Sequence, residues 1–499
     1  MDMKFESEEI RFLRPVVWEN QRQEQTQEIR LPDDLPDAGR VLGCWGQCLL
    51  RSKEWRSGGM AVSGGVMTWT LYAPEDGTEP RIAEGWLPFQ MKWDLPQDCP
   101  EGQLRIRLLP RFVDARSVSA RKMILRTGVA AMAEAFVPFE ADTWSVGEVP
   151  EDVQLLRTRY PVRWYRNSGE KSFQLDEDLT LPGSAPQPDK LIYYNLNPEV
   201  TESKVMKDKV VFRGNGNLHI LYRSEEGQLH NWDFPVPFSQ FAQMQEGYSP
   251  EAKADVAVCV TNLELELDAE GHLRLKCALA GQYLVDDQEI LEIIEDAYSP
   301  RRELQKETQE GDFPVLLENR TETFPAEQSI QADVNLAADL QLLPDFPRLY
   351  PVRDGVKMEV PGLFQTLYYD NNGSLQGTTA RWESQRELPA DRNSRLTAVP
   401  MTGSEPQLAL GEGSVTVKSQ LPVRMMATAR QNVPMVTGIT LNEVREPDPG
   451  RPSLILYRAG SANLWQMAKE NGSTVAAIQE ANGLQEEPQP GRMLLIPVP

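Results

Sequence analysis

The sequence predicts a mainly β protein: three tandem β-sandwich or barrel-like modules followed by a small α/β domain of βααβ order. Three observations carry the prediction. A phrase of Leu-Tyr, four polar or turn-forming residues and Gly occurs three times, as TLYAPEDG (70–77), ILYRSEEG (220–227) and TLYYDNNG (366–373). Its tyrosines, Tyr72, Tyr222 and Tyr368, recur at intervals of 150 (222 − 72) and 146 (368 − 222) residues. Alternating apolar segments lie between frequent turns, and 38 prolines limit long helices. Each interval is long enough to bury its own core, so the spacing reads as duplicated domains.

Each phrase ends an apolar stretch: MAVSGGVMTWTLY (60–72), VVFRGNGNLHILY (210–222) and VKMEVPGLFQTLY (356–368). Alternation such as Leu218, Ile220, Tyr222 predicts a strand with one buried face. The following Asn, Asp and Gly supply a turn with positive φ, so a hairpin is expected, with the tyrosine ring buried and its hydroxyl in water. Further along, QLRIRLLPRFV (103–113) places Leu104, Ile106 and Leu108 on one face and Arg105 and Arg107 on the other. DVAVCVTNLELELDAEGHLRLKCAL (255–279) reads as two strands around Asp268–Gly271. QLALGEGSVTVKSQLPVRMMATA (407–429) repeats that scheme around Gly411-Glu412-Gly413. Charged or Pro/Gly-rich stretches at VGEVPEDV (146–153), RRELQKETQEG (301–311) and EPDPGRP (446–452) divide the chain. The modules are then 1–149, 150–300 and 301–447, with a terminal domain at 448–499; LPGSAPQPDK (181–190) is a loop within the second.

In the terminal domain, Leu454–Arg458 forms a first strand. Asn463 caps a helix carrying Leu464, Trp465 and Ala468 that ends at Asn471-Gly472. Ser473 or Thr474 caps a second, with Val475 and Ile478 inside and Asn482-Gly483 closing it. Pro490-Gly491 turns into a last strand, Met493–Pro497. So small a domain has little core, and each buried Leu or Ile is worth about 1.5–3 kcal/mol. Trp465 is expected to be its central packing anchor.

The formal charge of −23, from 74 acidic against 51 basic residues, argues against nucleic acid or an anionic membrane as partner. The opening MDMKFESEEIRFLRPVV has no apolar signal core, and no run approaches the ~18–20 apolar residues that span a bilayer. Cys44, Cys48, Cys99, Cys259 and Cys277 are few, odd in number and irregularly spaced, which predicts packed free thiols in a reducing compartment. The three histidines (His219, His230, His272) form no metal motif, and nucleophile-elbow and phosphate-loop motifs are absent. GNGNLH (214–219) runs into a strand and reads as a turn. No catalysis, cofactor or metal is expected. From Arg105 to Arg126 seven basic residues (Arg105, Arg107, Arg111, Arg116, Arg121, Lys122, Arg126) face one acid, Asp114. They form either a dock for an acidic partner or, the favoured reading, a solvated strand face with internal ion pairs.

Read in order, these segments resemble SPOCS domains of bacterial spore-coat proteins. The resemblance rests on the Leu-Tyr-turn-Gly hairpin, on LPDDLPDAGRVLGCWGQCLL (31–50), DARSVSARKMILR (114–126) and the closing EILEIIEDAYSP (289–300). The third module lacks counterparts of the last two. The tail resembles a LysM domain. Together they are similar to clostridial spore-coat morphogenetic proteins of the SPOCS–LysM type. That resemblance implies a non-catalytic scaffold in the mother-cell cytoplasm, at the forespore surface. Its protein partner there would be the ATP-hydrolysing basement-layer protein of the coat, met through the LysM-like domain and the β modules. LysM domains also imply binding of N-acetylglucosamine polymers such as peptidoglycan, through loops that here comprise Gly460, Ser461, Ala462, Asn463, Asn482, Gly483 and Leu484. Ala462 replaces an acidic residue and removes an acceptor, which favours a protein ligand; a peptidoglycan-binding cell-wall protein is the alternative.

Overall fold

The computed structural model describes residues 2–245, 247–391, 393–411, 414–445 and 450–498. Glu412 and Gly413 of the expected third-module turn, and 446–449 of the last expected boundary, lie outside the described residues. The chain is mainly β. Its first strands are β1 (Phe5–Arg30), β2 (Ala38–Arg56), β3 (Gly59–Pro74), β4 (Arg81–Asp94), β5 (Gln103–Ser119) and β6 (Lys122–Val146). They form two antiparallel sets, β1-β6-β5 and β2-β3-β4. The next six are β7 (Gln154–Thr180), β8 (Pro188–Val205), β9 (Lys209–Ser224), β10 (Leu229–Gln243), β11 (Lys253–Leu267) and β12 (His272–Tyr298). They repeat the scheme as β7-β12-β11 and β8-β9-β10, and a pairing of Leu13 with Tyr165 joins β1 to β7 in one six-stranded sheet.

A third unit contains β13 (Arg302–Ile330), β14 (Val334–Pro344), β15 (Arg348–Val352), β16 (Gly355–Asp370), β17 (Leu375–Pro389), β18 (Arg395–Pro400), β19 (Gln407–Gly411) and β20 (Ser414–Val444). Again the long first strand pairs with the last, β13 with β20, and β16 is central to the other sheet. Both edge strands are broken, into β14/β15 and β18/β19. At the first break Phe346 is fully buried, and Asp345 accepts ion pairs from Arg22 (3.0 Å) and Arg111 (2.8 Å) of the first unit.

The repeated tyrosines occupy equivalent places. Each lies near the end of the middle strand of its small sheet: Tyr72 between Val41 and Arg81, Tyr222 between Leu191 and His230, Tyr368 between Ala337 and Gln376. The turn that follows closes on Gly77, Gly227 and Gly373, with φ of 72°, 86° and 74°. Glycine is favoured there because a Cβ would clash in that left-handed region. One expectation fails. The Tyr72 hydroxyl donates to the carbonyl of Pro36 (3.0 Å) and that of Tyr222 to Pro186 (3.2 Å), so both tie the hairpin to the preceding Pro-rich turn. In the third unit the corresponding residue is Ala332, and Tyr368 has no such prolyl partner among the described residues.

The two sheets of each unit share a core, such as Val62, Leu87, Ile106 and Leu125 in the first and Phe212, Leu218, Val236 and Leu275 in the second. The strand that carries the phrase is not buried on one face only. Leu218, Ile220 and Tyr222 face their own unit's core, while Leu221 joins a second cluster with Leu71 and Leu367. These are the three leucines of the repeated phrase, each at most 1 % exposed, and they meet with Trp45, Trp69 and Tyr193 where all three units converge. Tyr193 stacks on Trp45 with ring centroids 4.5 Å apart and planes 7° apart.

Arg105 is also not on a solvated face. It is 1 % exposed and pairs with Glu134 (3.1 Å) of its own unit and Asp255 (2.7 Å) of the second. Arg107 (2.9 Å) and Arg424 (2.5 Å), the latter from the third unit, share the same Asp255. Burial would raise the Asp255 carboxyl, but the three guanidiniums hold it well below the usual carboxylate range. Arg111, Arg121, Lys122 and Arg126 likewise have internal acidic partners, leaving Arg116 exposed and without an ion pair among the described residues. Apart from Arg116, the basic run is therefore paired within the chain, part of it buried and part at the surface. Each unit touches the other two, and the first and third, already joined at Asp345, meet again at Met3, whose N–H donates to the Ile439 carbonyl (2.9 Å).

Cutting Leu221 back to Ala should cost about 2–5 kcal/mol, because the cavity would open in a core to which three units contribute. Denaturant unfolding checks this. An effect under ~1 kcal/mol would mean that the central cluster does not hold the units together.

Candidate interaction sites

The tail runs β21 (Leu454–Arg458), α1 (Leu464–Asn471), α2 (Val475–Asn482) and β22 (Met493–Pro497), with the two strands paired antiparallel. Local sequence accounts for the helix ends. Asn463 and Gln466 form a reciprocal capping box, and Thr474 rather than Ser473 caps α2, accepting from the Ala477 amide at 3.1 Å. Gly472 and Gly483 close the helices with φ of 60° and 61°. The buried core is Leu464, Met467, Ala468, Ile478, Leu494 and Ile496.

Trp465 is not the centre of that core. It is half-buried at the junction with the second unit, its ring edge-on to Tyr298 (4.8 Å, 76°) and its Nε1 donating to Asp296 Oδ2 (2.9 Å). Lys469 Nζ reaches the same oxygen at 2.6 Å, Lys306 binds the other, and the Tyr298 hydroxyl donates to the Ser473 carbonyl at 3.0 Å. Burial would raise the Asp296 carboxyl, but these donors bring it down to about 2. The EDAYSP segment that closes the second unit is thus the post on which the tail sits. Sequence reasoning missed it because Asp296 and Trp465 are far apart in the chain.

The seven loop residues divide by role. Gly460 and Ser461 are exposed, and Ala462 is half-buried. Asn463 is occupied as a cap. The Leu464 amide donates to Glu487 Oε2 (2.8 Å), which draws the loop after α2 toward the start of α1. The Asn482 side chain is spent on β22, donating to the Leu495 carbonyl (2.7 Å) and accepting from its amide (2.8 Å). Gly483 is the left-handed cap, and Leu484 packs on the core.

A different surface is open. On the outer face of the two-stranded sheet Leu454, Leu456, Met493 and Leu495 are 50 %, 65 %, 51 % and 39 % exposed, and Leu456 lies directly opposite Leu495. Four large apolar side chains together on so small a sheet form a candidate protein-docking patch. Its signal is the alternation in LILYR and MLLIP: Ile455, Tyr457, Leu494 and Ile496 turn inward, so their neighbours turn outward.

A cleft of about 730 Å³ also opens where the units meet. Arg107, Asp255 and Arg424 line it, and so does His219, whose Nδ1 lies 2.7 Å from Asp233 and whose Nε2 lies 2.9 Å from Asp339 of the third unit. Asp339 also accepts from the Tyr193 hydroxyl (3.0 Å). Burial would lower the imidazole, but the two carboxylates raise it to about 10. With both ring nitrogens engaged, His219 is a charged clasp between units. Asp268, Glu270 and His272 could together face a cation, but all three are exposed and Asp268 is engaged with the backbone amides of its own turn. No helix among the described residues is long and apolar enough to cross a membrane.

The raised His219 contributes stability that is complete below its unfolded value of about 6.5 and is lost as pH rises toward 10. Unfolding free energy should therefore fall between those limits, by at most about 1.4 kcal/mol per pH unit. His219→Gln should flatten the fall; an unchanged slope in the variant would remove the clasp. Asp296→Asn should loosen the tail while sparing the β units, raising hydrogen exchange over 454–498 about tenfold. Exchange equal to wild type would show that Asp296 does not hold it.

Residues 187–268 match the family model described as SipL, SPOCS domain. That span covers β8 to β11 of the second unit. The match supports a SPOCS-type, sporulation-related protein. No curated protein and no solved structure gives a match.

Proposed function

We propose that this chain is a non-catalytic assembly protein of the bacterial spore coat. Three SPOCS-like units form its body, and a LysM-like tail tethers the ATP-hydrolysing basement-layer protein of the coat at the forespore surface, in the mother-cell cytoplasm. The observation that carries this reading is the tail's disposition. Trp465 and Lys469 fasten it to Asp296, while Leu454, Leu456, Met493 and Leu495 remain open to a partner. A small apolar face binds weakly alone, but several such contacts within one chain raise the effective concentration of each. The non-catalytic part of the reading is supported by two of the acids that line the central cleft. Asp255 and Asp233 there are engaged with Arg105, Arg107, Arg424 and His219 rather than with one another. The glycan reading is less well supported, since Asn463 and Asn482 spend their side chains on the tail's own backbone.

Removing residues 452–499 should lower affinity for the purified basement-layer protein about tenfold or more. Undiminished binding would exclude the tail from tethering. Sedimentation with purified peptidoglycan should leave the full chain in the supernatant; co-sedimentation that is lost on changing Ser461 or Trp465 would favour the cell-wall reading instead.

A further inference from the structure

A second pocket, of about 280 Å³, lies at another crossing of the three units. The first unit contributes Leu13, Arg14 and Pro15, beside the bulge of β1 at Pro15–Val17. Trp164 and Tyr165 come from β7, and the third unit adds Pro314 to Leu316, Arg395 and Thr428 to Arg430. In a chain with 74 acidic residues, this lining contains three arginines and neither Asp nor Glu.

The arginines are not spent as those of the Asp255 knot are. Arg14 lies 4.5 Å from the Phe139 ring centroid, and Arg395 donates one hydrogen bond, to the Trp18 carbonyl at 3.1 Å. Neither has a carboxylate partner among the described residues. Arg430 pairs with Asp312 at 3.0 Å, at an exposed position. Trp164, 1 % exposed, stacks on Phe12 and leaves its indole N–H without a hydrogen-bond partner. A pocket lined by two arginines that have no carboxylate partner, and by no acidic residue, lacks an acceptor. Guanidinium forks match the paired oxygens of carboxylate and phosphoryl groups. Leu13, Pro15, Pro314 and Leu316 provide apolar wall for a short hydrocarbon stem.

We propose that this pocket binds an oxyanion, a carboxylate or phosphoryl group on a short apolar stem, with Arg14 and Arg395 as its main contacts and Arg430 at the mouth. Because all three units contribute, an occupied pocket stabilises their mutual arrangement by binding only the assembled form. This proposal stands independently of the tail and its partner.

The test uses the full chain. Thermal unfolding is followed against inorganic phosphate and, separately, glutarate, each compared with sodium chloride at equal ionic strength. A saturable rise in midpoint with phosphate, glutarate or both supports the site, and the more effective ligand identifies the oxyanion. The double variant Arg395→Gln/Arg430→Gln changes two exposed side chains and should still fold, but bind about tenfold or more weakly. Arg116→Gln, an exposed change outside the pocket, should bind like wild type. Midpoints in phosphate and glutarate that both track sodium chloride overturn the proposal. So does a double variant that binds as wild type does.

Discussion

The arrangement depends on a division of labour between two adjacent residues. In the first two repeats the tyrosine of Leu-Tyr turns into its own unit, and in all three the leucine before it turns to a shared cluster. Successive side chains on a strand point to opposite faces, so one short phrase serves two cores. Leu71, Leu221 and Leu367 meet in a cluster that belongs to no single unit, while Tyr72 and Tyr222 bind their own unit's Pro-rich turn. That is a reason for the phrase to survive in a third unit whose edge strands are otherwise broken.

Apolar burial draws the units together, but it is poorly directional. The polar contacts at the junctions supply register. Asp255 gathers guanidiniums from the first and third units, Asp345 takes two from the first, and His219 bridges the second and third. Buried ion pairs of this kind add little net stability over an apolar replacement, yet leaving one partner alone is costly. They therefore penalise misdocking more than they reward docking. The strongly acidic composition conceals this, since most of the local basic run is neutralised within the chain.

What could be read from the sequence was whatever depends on residues a few positions apart. The hairpin glycines at 77, 227 and 373 were legible, and so were the caps at Asn463, Gly472 and Gly483, because a turn or a helix end is decided by its immediate neighbours. The equivalent placing of the three tyrosines followed from regular spacing. What remained hidden were partners separated by a hundred residues or more: Arg105 with Asp255, His219 with Asp339, Trp465 with Asp296. Alternation shows that a side chain leaves one face, but not whether water or another unit awaits it on the other. Trp465 was misplaced for that reason: small-domain logic assigns the largest aromatic to the centre, whereas here it is used at a boundary.

The contact of Met3 with Ile439 has a consequence for assembly. Together with the pairs of Arg22 and Arg111 to Asp345 it holds the third unit against the first, so the trio closes on itself as a triangle instead of extending as a rod. A linear array of similar modules would present an unmatched face at either extremity and invite polymerisation through it. Here those faces are satisfied internally, and any lattice built from this protein must grow through surfaces that lie outside the triangle.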